Sequence, residues 1–310
     1  MSPADALLLT QAAAAAAGGQ QYPPGTLYMV ATPIGNLADL SLRALHVLAL
    51  VDLVACEDTR VSGQLIRHLG LATPLLALHQ HNEREAAQGV VARLAAGGRV
   101  AYISDAGTPA LSDPGAALVA AAHAAGHRVV PIPGASSALA ALSVAGDTIA
   151  QGFVFVGFLP PRASDRRATL DRVAADARAQ VLFEAPHRIE RLVDELAQAA
   201  PQRRATLCRE LTKQFETVAT MTCVALPAWI SADANRLRGE FVLVLHASEV
   251  PTAAPEGVID AAAERMLTRL LQDLPLKQAV QVCADLSGAP RNALYTRALA
   301  LRASGPAAPG

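Results

Sequence analysis

Short apolar runs recur along this chain with helix-patterned stretches between them, and that alternation restricts the fold more than any other feature. "TLYMVA" from Thr26, "VDLVACED" (51–58), "PLLAL" (74–78), "RVAYIS" (99–104) and "HRVVPI" (127–132) read as buried strands. Helical periodicity fills the gaps near 59–69, 83–96 and 114–125. "DLSLRALHVLAL" is a further helix, with Asp39 as its expected N-cap. Strands that alternate with helices imply a parallel sheet covered on both faces. After "PGASSALAALSVAG" (133–146) the strand candidates become "FVFVGF" (153–158), "AQVLFE" (179–184), "RATLCRE" (204–210), "TVATMTCV" (217–224) and "GEFVLVLH" (239–246). The last three crowd together, which predicts antiparallel pairing in a second α/β domain.

The boundaries follow from this pattern. Residues 1–25 are expected to be a disordered Ala-rich extension, 26–133 one α/β domain and 134–247 a second, divided near Gly134. Residues 248–257 read as a linker, 258–302 as helices only, and 303–310 as a tail. Within the helical part, "LKQAVQVCADLSG" and "RNALYTRALAL" joined through "SGAP" resemble a helix-turn-helix pair. At 310 residues the chain can bury two cores.

Charge narrows the partners. The net charge is −1, so no global field draws in nucleic acid. Locally, residues 1–160 carry 7 basic and 10 acidic side chains, and 161–215 carry 11 and 8, so a polyanion is expected at the second stretch. Four scattered cysteines, Cys56, Cys208, Cys223 and Cys283, form no metal knuckle or redox pair and read as reduced thiols of a cytosolic protein. "HQHNE" (79–83) has no second ligand cluster to complete it, so no metal is expected. No Lys or Arg precedes the apolar N-terminal stretch, which argues against a signal peptide. No apolar run approaches the roughly 20 residues of a membrane span.

Two loops are the leading site candidates. "TPIGN" (32–36) matches neither the dinucleotide fingerprint nor a P-loop, yet follows the first strand, where open α/β sheets collect ligands. "SDAGTPALSDPG" (104–115) holds two aspartates. Asp113, before Pro114 and a helical run, has the signature of an N-cap; Asp105, directly after the strand, does not and is the functional candidate. A polyphosphate site offers backbone N–H groups and a cation rather than an acid. A carboxylate instead suits a ribose hydroxyl or a positively charged nucleoside such as S-adenosylmethionine.

Taken together and in order, "VATPIGNLADLSLRAL…ACEDTR", "SDAGTPALSDPG", "PIPGASSALAAL", "GFLPPR", "FEAPHR", "CRELTKQFE" and "GEFVLVL" resemble the bacterial 16S rRNA 2′-O-ribose cytidine methyltransferases of the tetrapyrrole-methylase superfamily. The resemblance covers Thr26 to His246, and the "LKQAVQVCADLSGAPRNALY" region resembles that family's small helical C-terminal domain. It implies two α/β domains of the class III methyltransferase type with S-adenosylmethionine in the cleft between them. It also implies a cytoplasmic homodimer that methylates a decoding-centre cytidine of 16S rRNA in the small ribosomal subunit. Matching motifs assign cofactor contacts to Ile34, Gly35, Ser104, Asp105, Ala106, Gly107, Thr108, Pro109, Ser136, Ser137, Phe183, Glu184 and Ala185. Glu184 is the first candidate for a general base. Lys213 is the second, on the expectation that burial lowers its pKa. Arg60, Arg188 and Arg209 are candidate phosphate grips on RNA. Two rivals stand beside this reading: a methyltransferase of the same fold acting on a tetrapyrrole or diphthamide intermediate, and a non-catalytic RNA-binding assembly protein.

Overall fold

The structure, a computed structural model, describes residues 2–79, 82–111, 114–248, 259 and 261–303. It divides into two units, 1–248 and 249–310. The first unit opens with a helix, α1 (Pro3–Ala17), where disorder was expected. The expectation missed two signals. Ser2 and Asp5 form a capping box around Pro3, and the alanine run has the highest intrinsic helix propensity of any residue type. Ala13 is fully buried in the same apolar cluster as Leu45 and Leu48, so the segment is packed rather than loose.

The first sheet then builds as β1 (Thr26–Val30), α2 (Leu42–Leu50), β2 (Leu53–Cys56), α3 (Thr59–His68), β3 (Leu75–Ala77), α4 (Glu83–Ala95), β4 (Val100–Ile103), α5 (Ala116–Ala124) and β5 (Arg128–Ile132). Its strand order is β3-β2-β4-β1-β5 and every pairing is parallel. All four residues of β2 and of β4 are buried, as expected for strands covered on both faces. Two expected caps differ. Ser41, not Asp39, accepts from the Ala44 N–H at the start of α2. α5 starts at Ala116 with Gly115 in the cap position, and Asp113 lies outside the described residues. Gly115 has φ +126°, and a Cβ there would stand 2.6 Å from the Tyr102 ring, so the turn requires glycine.

α6 (Ser137–Ala145) leads into the second sheet: β6 (Phe153–Phe158), α7 (Ala163–Ala175), β7 (Ala179–Glu184), α8 (Ile189–Ala199), β8 (Arg204–Arg209), β9 (Thr217–Thr222), α9 (Leu226–Ser231) and β10 (Phe241–Leu245). The order is β6-β7-β10-β8-β9, with only β6 and β7 parallel. β10 runs antiparallel to both β7 and β8, and β8 to β9, which is the antiparallel pairing expected of the last three strands. The buried Arg203 guanidinium donates to the carbonyls of His246, Val173, Asp176 and Arg178 and so pins this sheet's end.

The four cysteines are buried. Burial pushes the Cys56 thiol up, Cys208 up to about 12 and Cys223 up to about 11. Among the described residues no helix is long and apolar enough to cross a membrane. Of the "HQHNE" stretch, Gln80 and His81 lie outside the described residues, as do most of the expected linker and tail.

The second unit is helical: α10 (Ala261–Asp273), α11 (Leu276–Ser287) and α12 (Arg291–Ala303). Gly288, at φ +69°, ends α11 in a left-handed cap, and Leu267, Val280, Cys283, Leu294 and Ala298 form its core.

Candidate active site

Four loops at the carboxyl ends of β1, β2, β4 and β5 build one wall of a cavity of about 480 Å³. They are tied to one another by backbone. Thr32 and Gly107 exchange N–H···O bonds of 3.0 and 3.1 Å, the Thr32 hydroxyl donates to the Ser104 carbonyl, and the Thr108 hydroxyl donates to the Ala135 carbonyl at 3.0 Å. Gly107 sits at φ +83°, and a Cβ there would meet Ile34 Cγ2 at 3.2 Å, so glycine permits the loops to close on each other. Ile34, Glu57, Asp105, Ala106, Gly107, Thr108, Ser136 and Ser137 line this side.

The second sheet supplies the opposite wall. Phe155, Phe158, Phe183 and Phe241 line it with Leu211, Glu184 and Glu240. In a regular strand residues 155 and 158 face opposite sides. A bulge at Gly157 (φ +68°) shifts the register of β6 against β7, and both rings then meet Phe183, at centroid distances of 5.1 and 5.6 Å. The result is an aromatic floor beside the strand end that carries Glu184.

Of the thirteen expected cofactor contacts, ten line the cavity. The other three support it from behind: Ser104 is buried, with its hydroxyl donating to the Ala106 carbonyl, Pro109 is buried, and Gly35 lies beneath Lys213. The sequence reading missed Glu57, Leu111, Ala138, Phe155, Phe158, Pro186, Leu211, Glu240, Phe241 and Val242. Glu57 and Glu240 stood in quoted motifs ("ACEDTR", "GEFVLVL"), whereas the Phe155–Phe158 pair depends on the bulge.

The expected bases and phosphate grips are placed differently from the reading. Glu184 is buried, its side chain 1% exposed. One carboxylate oxygen accepts from both terminal nitrogens of Arg166 at 3.2 Å; the other accepts the Ala185 N–H at 3.0 Å and forms an ion pair with Arg188, its Nε 3.1 Å away. Arg166, itself 1% exposed, also donates to Glu195 at 2.7 Å. A carboxylate held on both oxygens by guanidinium groups is a strut, with its lone pairs already committed, rather than a poised proton acceptor. Lys213 Nζ donates to Glu210 and Glu240, each at 2.9 Å. Burial would lower its pKa, but the two carboxylates outweigh burial and raise it, so the amine stays protonated, opposite to the expectation for a base.

Arg188 is tied to Glu184 and to the Leu159 carbonyl at 2.7 Å. Arg209 donates to the carbonyls of Arg238 and Phe215 and to the Thr217 hydroxyl, stapling the turn between β8 and β9. Both are structural side chains rather than open phosphate grips. Arg60 alone of the three projects outward, 88% exposed, although it pairs with Asp58.

Asp105 contrasts with Glu184. It is exposed on its loop and accepts the Asp58 N–H at 3.2 Å, and among the described residues no arginine or lysine forms an ion pair with it. Withdrawal from water raises its pKa and the Asp58 carboxylate adds to the rise, while the Asp58 N–H and the more distant Arg60 charge oppose it. Among the described residues the cavity is lined by four carboxylates, Glu57, Asp105, Glu184 and Glu240, and by no lysine, arginine or histidine.

Comparison with known proteins agrees with this chemistry. The family described as Tetrapyrrole (Corrin/Porphyrin) Methylases matches residues 26–227, and the RsmI C-terminal HTH domain matches residues 257–302. The ribosomal RNA small subunit methyltransferase I of Pseudomonas aeruginosa is 48% identical over 89% of this chain and 97% of its own length. The protein of the same name from Xylella fastidiosa strain Temecula1 is 46% identical over 88% and 98%. A solved uroporphyrin-III C-methyltransferase from Thermus thermophilus, complexed with S-adenyl homocysteine, matches with a TM-score of 0.50 at 18% identity. It covers 71% of this chain and 96% of that one, a likeness of fold.

Proposed function

Because this chain belongs to the tetrapyrrole methylase family and is an S-adenosylmethionine-dependent rRNA methyltransferase, we propose that its acceptor is the 2′-hydroxyl of a decoding-centre cytidine in 16S rRNA of the small ribosomal subunit. The observation that carries the cofactor side of this reading is the charge of the cavity. Of the lining carboxylates Glu184 and Glu240 are held in ion pairs, whereas Asp105, with no ion pair among the described residues, suits a ligand bearing sulfonium and ammonium and repels a polyphosphate. Asp105 is the acid placed to meet that cation or a ribose hydroxyl, Ser136 and Ser137 offer polar contacts, and the phenylalanines offer flat apolar surface to a nucleoside.

S-adenosylmethionine supplies a methyl group already activated on a sulfonium. The chain's task is then to hold a weakly nucleophilic hydroxyl in line with it, and such alignment is worth roughly 7–11 kcal/mol. Since Glu184 and Lys213 are both held in ion pairs, alignment is assigned the larger share here. The same reading makes the enzyme a cytoplasmic homodimer, its assembly checked by sedimentation velocity.

The test is to incubate the protein with methyl-labelled S-adenosylmethionine and small subunits lacking the modification, then locate 2′-O-methyl groups. One methylated cytidine in the decoding centre is the expected result. Label on another nucleotide, or on none, would sink the assignment of the acceptor.

A further inference from the structure

Lys213 and Gly35 are in closer contact than any pairing of ordinary residues allows. A Cβ added to Gly35 would stand 2.4 Å from Lys213 Cγ and 2.9 Å from Cε, so the lysine stem lies directly on the glycine backbone. Beyond that crossing the ammonium reaches Glu210 and Glu240. Gly35 lies behind the first wall next to Ile34, and Glu210 behind the second next to Leu211, while Glu240 is part of the second wall itself. One side chain therefore spans the two walls. Its neighbours Ile34, Leu211 and Glu240 all line the cavity.

The turn that presents Lys213 is held in an unfavourable backbone conformation. Glu210 (φ +53°) and Thr212 (φ +64°) both occupy the left-handed region although each carries a Cβ. Such conformations persist where the surroundings over-determine them. Here the Glu210 carboxylate accepts from Lys213 Nζ and from the Glu240 N–H, and Thr212 donates its N–H to Glu216 at 2.6 Å. Arg209 staples the same turn to Phe215. Leu211, between the two strained residues, is the one that faces the cavity.

We propose that Lys213 is a positioning residue: its stem over Gly35 and its ion pairs with Glu210 and Glu240 fix the Ile34–Gly35 loop against Leu211 and so set the width of the cofactor cleft. This rests on the cleft being the cofactor site. It differs from a base at 213 in what matters: the stem and the spacing, not a proton.

The experiment uses the full chain in five forms: unaltered, Gly35→Ala, Lys213→Ala, Lys213→Met, and Gly35→Ala combined with Lys213→Ala. S-adenosylhomocysteine affinity is read by calorimetry and stability by thermal melting. Gly35→Ala and Lys213→Ala each weaken binding about tenfold, and the double variant loses little more than either alone, a non-additivity typical of touching residues. Lys213→Met, which keeps a stem and loses both ion pairs, binds more tightly than Lys213→Ala and less tightly than the unaltered chain, and its single-turnover methyl transfer keeps the same dependence on pH. Additive losses in the double variant would overturn the proposal. So would a Lys213→Met protein with intact affinity and no rise of rate with pH where the unaltered chain shows one, the mark of a lost proton acceptor. Should the unaltered chain fail to bind S-adenosylhomocysteine, the cofactor reading falls, while additivity in melting temperature still decides the contact.

Discussion

The two walls of the cavity each place a carboxylate at a strand end, and they treat it in opposite ways. On the second wall Glu184 receives two arginines and a backbone N–H and disappears from solvent. On the first wall Asp105 receives a single backbone N–H and stays exposed. A charge compensated from within the protein holds the fold together. A charge left uncompensated at a cavity costs stability and is available to a ligand. The difference separates architecture from recognition, although both residues line the same space.

The largest effect should come from the compensated side. Arg166→Met leaves buried carboxylate charge short of a partner, and such a loss costs about 3–5 kcal/mol, readable in urea denaturation. Glu184→Gln should likewise show its damage in stability. A loss of about a hundredfold in single-turnover rate at unchanged stability would restore Glu184 as a base and break the contrast.

Next in size is Asp105→Asn, which should weaken S-adenosylmethionine about tenfold, the scale of a charge-assisted contact. Its melting temperature at neutral pH should hold or rise slightly. The sign follows from the raised pKa: the folded state favours the protonated acid, a contribution present at low pH and lost as pH rises. An asparagine keeps it at every pH. A lowered melting temperature with unchanged affinity would make Asp105 another strut.

The same shift gives a third, smaller effect. Cofactor affinity should decline on acidification already above about pH 3.9, where an ordinary aspartate would still be ionised, and the decline should vanish in Asp105→Asn. Equal declines in both proteins would assign the titration elsewhere. The smallest effect is expected from Arg60→Ala. Its guanidinium is almost fully in water, so melting should not move, while the salt slope of small-subunit binding drops by about one if it contacts a phosphate. An unchanged slope removes it from the RNA surface.

The sheets were legible because parallel strands buried on both sides must be continuous apolar runs, as β2 and β4 are. The loops of the first wall were legible too, since their glycines and prolines mark turns after strands. What escaped was whatever depends on distant partners. Nothing beside Arg188 in the chain announces that Leu159 and Glu184 occupy its guanidinium, and Arg166, the most buried arginine, carried no signal at all. The Phe155–Phe158 alignment required a bulge that alternation alone predicts against. Caps failed for a smaller reason: Asp39 and Ser41 are two residues apart, and local sequence does not choose between them. The alanine-rich start was misread because disorder and a small-residue helix packed along a single stripe of alanines share a composition.

The four buried cysteines have a practical consequence for following this enzyme's motions. A thiol pushed up to about 12 inside a packed sheet, as at Cys208, is almost never a thiolate and never meets solvent while the sheet is intact. Thiol reagents added to the native protein should therefore be inert until the chain opens, and their uptake becomes a clock for global unfolding. For the same reason a single cysteine introduced on an exposed surface would label cleanly against a silent background, giving a direct spectroscopic handle on the cleft without first removing any native residue.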